Sequence, residues 1–274
     1  MQVYGEDSYL PEEEKQKKNY NHYLKTVWCI IFFLTGFVGL QLIAYVISEI
    51  LGNYPSLSKV NAEIILNSAS YVVLTIVFIL LLYFATPKGM FKHHFKAFAV
   101  SSTYSRALLY FLIMLSASYV WGLISLNISN AAGISQSTNA NQSSLVSMLK
   151  VNPIIISIMT IFLAPFCEEL TYRYGLFEAL KRHNKVLAYI LSLVIFGLIH
   201  FDFTGCFYNT TAKVFEVKTT TLINELLNIP SYFIGGGILA YAYDKEDNIA
   251  TPMMTHLFNN AFSIIITLVS MGAK

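Results

Sequence analysis

The chain has 274 residues, of which 55% are hydrophobic and only 12% charged, and its formal net charge is +2. Soluble domains carry about 25% charged residues, so the composition points to a membrane protein, and so small a net charge gives no reason to expect a nucleic-acid partner. Cys29, Cys167 and Cys206 show no CxxC or other metal spacing. They read as free thiols in or near a bilayer.

Residues 1–25 mix acidic (Glu12, Glu13, Glu14) and basic (Lys15, Lys17, Lys18, Lys25) positions and read as a solvated tail. The first apolar run, roughly Thr26–Ile50, is too long for the core of a signal peptide and reads as a retained anchor. A span needs about 20 apolar residues. Further spans are expected over roughly Ile64–Ala85, Ala107–Leu126, Pro153–Leu180 with a kink at Pro165, Val186–His200, Pro230–Tyr243 and Ala250–Met271. Gly52-Asn53-Tyr54-Pro55 and Thr86-Pro87-Lys88-Gly89 are turn signals. Asn130–Lys150 reads as an exposed polar loop followed by a short helix, and 201–229 as an interfacial segment. The fold class is therefore all-α, a polytopic transmembrane bundle of about seven to eight spans. It divides into a tail over 1–25, accessory helices and a loop over 26–150, and a core over 151–274.

Lysines and arginines favour the cytoplasmic side of short loops. One side collects the N-terminal tail, the 87–106 loop, Lys181-Arg182-His183-Asn184-Lys185 and the 244–248 turn. This places the N-terminus in the cytoplasm and the C-terminus outside, with His93 and His94 at the headgroups. The many tyrosines and phenylalanines read as lipid-facing bulk and interfacial belt.

Ionisable side chains at membrane depth are costly and mark functional sites. Here they are Glu168, Glu169 and Arg173 in FLAPFCEELTYRYGLFEAL, His200 ending FGLIH, and His256 opening HLFNN. At about 3.6 residues per turn, Glu169 and Arg173 share a helix face and can pair. Glu168 lies about 100° round the helix and needs another reason to be there. His256 and Asn260 also share a face. A structural reading stands beside the functional one: an ion-pair cluster and interhelical hydrogen bonds that hold the bundle together. The functional reading is a minimum kit for amide hydrolysis. A glutamate acts as base, a histidine assists it, and a histidine with an amide supports an oxyanion. The same Glu168, His200 and His256 are also a possible zinc set, although HExxH spacing is absent. Cys167 as a nucleophile is disfavoured, because it faces away from Glu168.

Three motifs in order, EELTYR (Glu168 to Arg173), FGLIH (Phe196 to His200) and HLFNN (His256 to Asn260), resemble the EExxxR, FxxxH and HxxxN motifs of the CAAX protease and bacteriocin-processing family. That family, also called Abi, includes the type II CAAX prenyl endopeptidases. The resemblance covers about 165–265. It implies an intramembrane endopeptidase with Glu168 as the base that activates water, His200 assisting, and His256 with Asn260 as the oxyanion site. Glu169 and Arg173 are then a supporting pair, and no cofactor is expected, zinc being the alternative. Glycine follows the arginine one step late, at Gly175, and a usual aromatic is replaced near Ile249-Ala250. Neither departure removes a reactive group.

The implied partners are the lipid bilayer and a peptide or membrane-protein substrate: a CAAX-type protein, a peptide pheromone, a bacteriocin leader or a self-immunity target. Richness in Lys, Asn and Ile points to a bacterial cell membrane, where members need no prenyl group. Cleavage is expected in the cytoplasmic half of the bilayer. Two readings compete: an ion-coupled transporter, which predicts repeat symmetry absent from this sequence, and a non-catalytic scaffold that regulates a partner.

Overall fold

A computed structural model describes residues 12–87 and 89–272, with side chains from residue 24 onward. The expected tail falls largely outside this range, and from Glu12 the backbone is already helical. The elements are α1 (Glu12–Leu51), α2 (Lys59–Ala85), α3 (Lys92–Lys96), α4 (Ser101–Ala131), α5 (Ala140–Val151), α6 (Pro153–Lys181), α7 (Lys185–Leu198), α8 (Phe203–Phe207), a hairpin of β1 (Tyr208–Asn209) and β2 (Val214–Phe215), α9 (Thr219–Glu246) and α10 (Ala250–Gly272). Among the described residues, five helices are long and apolar enough to cross a membrane: the 24–51 part of α1, then α2, α4, α6 and α10. The short apolar α7 and the long α9 complete the bundle. This is an integral membrane protein with an all-α fold.

α9 departs from the sequence expectation. It starts at Thr219, not at Pro230, and carries Pro230 inside it. Asp202, Lys213, Glu216, Lys218 and Glu225 make 201–229 read as interfacial, but Glu225 lies inside α9, where it, Asn224 and Asn228 bind residues 137–140. Asn224 accepts from the Ser137 N–H at 3.0 Å, and Asn228 donates to the Ser137 carbonyl at 3.1 Å. Buried Glu225 takes the N–H of Ala140, at the start of α5, at 3.0 Å. The polar loop is thus strapped down, and α5 is held at that end of the bundle.

The core is aromatic. Phe32 of α1 packs on Phe78, Phe91 and Tyr174 with ring centroids 5.6, 5.3 and 5.2 Å apart. Tyr174 and Tyr243 are fully buried, so these tyrosines are not belt residues. α1 lies so close to α6 that a Cβ on Gly175 would stand 2.7 Å from the Phe33 backbone nitrogen. Only glycine permits that approach.

One end of the bundle gathers the charges. Buried Glu178 meets Lys25, Lys181 and Arg182 at 3.2, 2.7 and 2.9 Å. Lys185 meets Asp244 at 2.6 Å, and Arg106 pairs with Glu246. The basic loops that the sequence grouped on one side do meet there. His94, expected at the headgroups, is instead 5% exposed. It packs against Tyr174 and Tyr243 at 5.5 and 6.2 Å.

Candidate active site

α6 brings the two carboxylates to the centre of the bundle. It is not a uniform helix: Met159–Leu163 and Leu170–Phe177 are π-helical. π-turns inside helices often mark functional sites. The first explains how Pro165 is tolerated. Ala164 bonds back five residues to the Met159 carbonyl. In that register the N–H of residue 165 would serve the Thr160 carbonyl, and proline has none. The Asn260 side-chain amide serves it instead, donating to Thr160 O at 2.8 Å.

Glu169 and Arg173 are both fully buried, with Nε and Oε2 3.2 Å apart. Neither atom is in hydrogen-bond geometry, so this contact is Coulombic. Arg173 also donates to the Gly236 carbonyl at 3.2 Å and lies 4.4 Å over the Phe196 ring. The other oxygen of Glu169 accepts from His256 Nδ1 at 2.8 Å. Glu169 is therefore a hub between α6 and α10, a role the helix spacing did not reveal.

Glu168 is buried, 9% exposed, and faces a cavity of about 620 Å³. Tyr71 of α2 donates to its Oε1 at 2.8 Å. Its Oε2 lies 3.9 Å from His256 Nε2, beyond hydrogen-bond distance. His200 lines the same cavity but makes no direct hydrogen bond to Glu168. Its Nδ1 meets the Phe196 carbonyl at 2.8 Å. A carbonyl only accepts, so Nδ1 carries a proton, and in the neutral ring Nε2 presents a lone pair. The ring is held flat on Tyr232, with centroids 4.4 Å apart and planes 17° apart. The Tyr232 hydroxyl is in turn fixed by Asn139 at 3.0 Å.

The motif residues Glu168, His200, His256 and Asn260 all line this one cavity. Among the described residues, no three His, Cys, Asp or Glu side chains are grouped to hold a metal ion, so Glu168, His200 and His256 do not form the alternative zinc set in this arrangement. Two residues in contact with the candidate site were missed from the sequence. Tyr71 looked like membrane bulk, and its one signal was its place in the polar run Asn67-Ser68-Ala69-Ser70 just before it. Tyr232 carried no signal beyond lying on a glycine-rich helix. Cys167 is 1% exposed, with its sulfur 3.3 Å from Thr75 Oγ1.

The cavity wall also includes Asn141 and Met148 of α5 and Met114 of α4. It extends from Glu168 toward the α5 end, away from the cluster around Glu178.

Comparison with known proteins follows the same core. Residues 150–262 match the family model for type II CAAX prenyl endopeptidase Rce1-like proteins. This segment is Rce1-like. The Rce1-like segment holds Glu168, His200, His256 and Asn260, but not Tyr71 or α5. The chain is 29% identical over 143 residues to the membrane-embedded CAAX protease MroQ of Staphylococcus aureus, covering 49% of this chain and 48% of that one. It is 30% identical over 132 residues to the UPF0177 protein YvdC of Lactococcus lactis, covering 48% and 42%. It is 26% identical over 129 residues to the putative membrane peptidase YdiL of Bacillus subtilis, covering 47% and 43%. The chain thus spans less than half the length of these curated relatives. No solved structure matches.

Proposed function

We propose that this protein is an intramembrane endopeptidase that hydrolyses a peptide bond with a glutamate-activated water. The observation that carries the reading is the state of Glu168. Among the described residues it is the one carboxylate on the cavity wall, one oxygen is held by Tyr71, and the other has no hydrogen bond. On the same cavity wall His200, in its neutral form, presents the Nε2 lone pair. A water between the two has a base and an acceptor in reach.

The chemistry then balances as follows. Water loses a proton to Glu168 and its oxygen adds to the peptide carbonyl carbon. The tetrahedral oxyanion takes hydrogen bonds from the α10 wall. Asn260 uses one amide hydrogen on Thr160 and has a second to give. His256 donates at Nε2 only when both ring nitrogens are protonated, with Glu169 as counter-ion at Nδ1. Collapse breaks the C–N bond, and the proton on Glu168 passes to the leaving nitrogen. Arg173 keeps Glu169 in place and does not touch the reaction.

The core over 151–274 carries the reacting groups in this reading, and helices from 26–150 supply walls. The basic loops favour the Glu178 end and the N-terminus in the cytoplasm of a bacterial cell, with the cavity reaching toward the opposite, α5 end. Names such as CAAX protease and membrane peptidase among the relatives support a membrane-bound peptide or protein as substrate. A pheromone or bacteriocin leader suits a cavity facing outward. The test is incubation of purified protein in detergent with such peptides, read by mass spectrometry. New amine and carboxyl ends, insensitive to thiol alkylation, support the reading. Cleavage abolished by alkylating Cys167 argues for a cysteine nucleophile, and intact peptides throughout argue for the scaffold.

A further inference from the structure

A second, smaller space of about 290 Å³ lies between α1, α2 and the middle of α6, with Leu40, Gln41 and Ala44 of α1 in its wall. None of the three motifs lies on α1. The two spaces share Asn67, Tyr71, Asn141, Glu168 and His200 as wall residues. Glu168 and His200 therefore stand where one space gives way to the other.

We propose that the two spaces are the arms of a single substrate groove, and that the smaller arm binds an uncharged, largely apolar peptide segment on one side of the bond to be cut. This rests on the reading of Glu168 as the base. An enzyme that cuts inside a chain must hold residues on both sides of the reacting carboxylate. A carboxylate at the end of one closed pocket cannot do so, whereas one at a waist can.

The wall chemistry sets the substrate class. Glu168 is the one acid in the smaller arm, and no lysine or arginine lines it. A charged substrate side chain there would be desolvated without a partner, which is costly. The waist also matches a peptide backbone. The Asn67 amide nitrogen donates to Glu63 O at 2.8 Å, and that of Asn141 to Tyr232 Oη at 3.4 Å. Their side-chain carbonyl oxygens make no hydrogen bond with the described residues, so both are open to backbone N–H groups of an extended segment. Leu40, Leu66 and Phe37 offer apolar contact beyond them.

The test reads occupancy, not cleavage. A photo-crosslinking residue is introduced in the full chain in three variants: Leu40→p-benzoylphenylalanine, Gln41→p-benzoylphenylalanine and, in the larger arm, Leu145→p-benzoylphenylalanine. The probe is a biotinylated peptide with a central stretch of Leu, Ala, Ser and Asn and a lysine at each end. Labelling at Leu145 and at Leu40 or Gln41, competed by unlabelled peptide, is expected. Moving one lysine into the central stretch is expected to reduce labelling of the smaller arm roughly tenfold or more. Labelling at Leu145 with none at either α1 position overturns the proposal. So does equal labelling by the charged probe, or none at any position. Because occupancy is read without turnover, a positive result beside a fully active Glu168→Gln variant leaves the groove standing and removes Glu168 as the base.

Discussion

Replacing Glu169 by glutamine should destabilise the bundle far more than the same change at its neighbour Glu168. The Glu169 carboxylate and the Arg173 guanidinium are both fully buried, 3.2 Å apart. Glutamine keeps an oxygen for His256 Nδ1 but leaves a desolvated cation without a counter-charge. Breaking a buried pair this way costs about 3–5 kcal/mol. The retained contacts of Arg173 with the Gly236 carbonyl and the Phe196 ring put the expected loss near about 3 kcal/mol. For a chain of this size that is a fall in Tm of roughly 6–12 °C. At Glu168 a glutamine oxygen still accepts from Tyr71, and His256 Nε2 stands off at 3.9 Å. The cost there should stay below about 1 kcal/mol. Thermal unfolding of both variants in one detergent measures the difference. Equal shifts, or a neutral Glu169→Gln, would refute the assignment of Glu169 as the structural carboxylate.

Tyr71→Phe should lower kcat roughly tenfold or more with little change in KM, because it removes one charge-assisted hydrogen bond that orients Glu168; unchanged kcat in peptide-cleavage kinetics would contradict this. Asn260→Ala should cost about 1–3 kcal/mol by orphaning the Thr160 carbonyl. Adding Pro165→Ala restores a backbone N–H and should recover part of that loss, and a double-mutant cycle showing strict additivity would count against the π-register explanation. Burial, then the Lys25 charge, lowers the pKa of His94 from 6.5 to about 4. Between those values the unfolded chain binds the proton and the folded chain does not. The contribution is therefore intact above pH about 6.5 and falls by about 3 kcal/mol as pH drops to about 4. Denaturant titrations across that range should show the slope in wild type and not in His94→Phe.

Much of the helix order was legible because long apolar runs have few alternatives, and three motifs placed four reactive groups that line one cavity. What sequence periodicity missed has physical causes. It assumes α geometry, so it could not show that the π-turn before Pro165 frees the Thr160 carbonyl for Asn260. It treats Tyr71 as apolar bulk, whereas its hydroxyl is the close partner of Glu168. The charged residues of 201–229 make that stretch look interfacial, whereas Glu225, with Asn224 and Asn228, is satisfied inside α9 by contacts with residues 137–140. The end of the bundle toward which the cavity extends is a property of packing, since α5 lines it and the Glu178 cluster fills the other end.

The decisive comparison is peptide cleavage by purified wild-type and Glu168→Gln chains in detergent, each with and without a strong chelator. Wild-type cleavage that survives the chelator and is lost in Glu168→Gln, with Tm nearly unchanged, is the expected result. Equal cleavage by the variant would contradict Glu168 as the base, and wild-type cleavage lost to the chelator would move the chemistry to a metal.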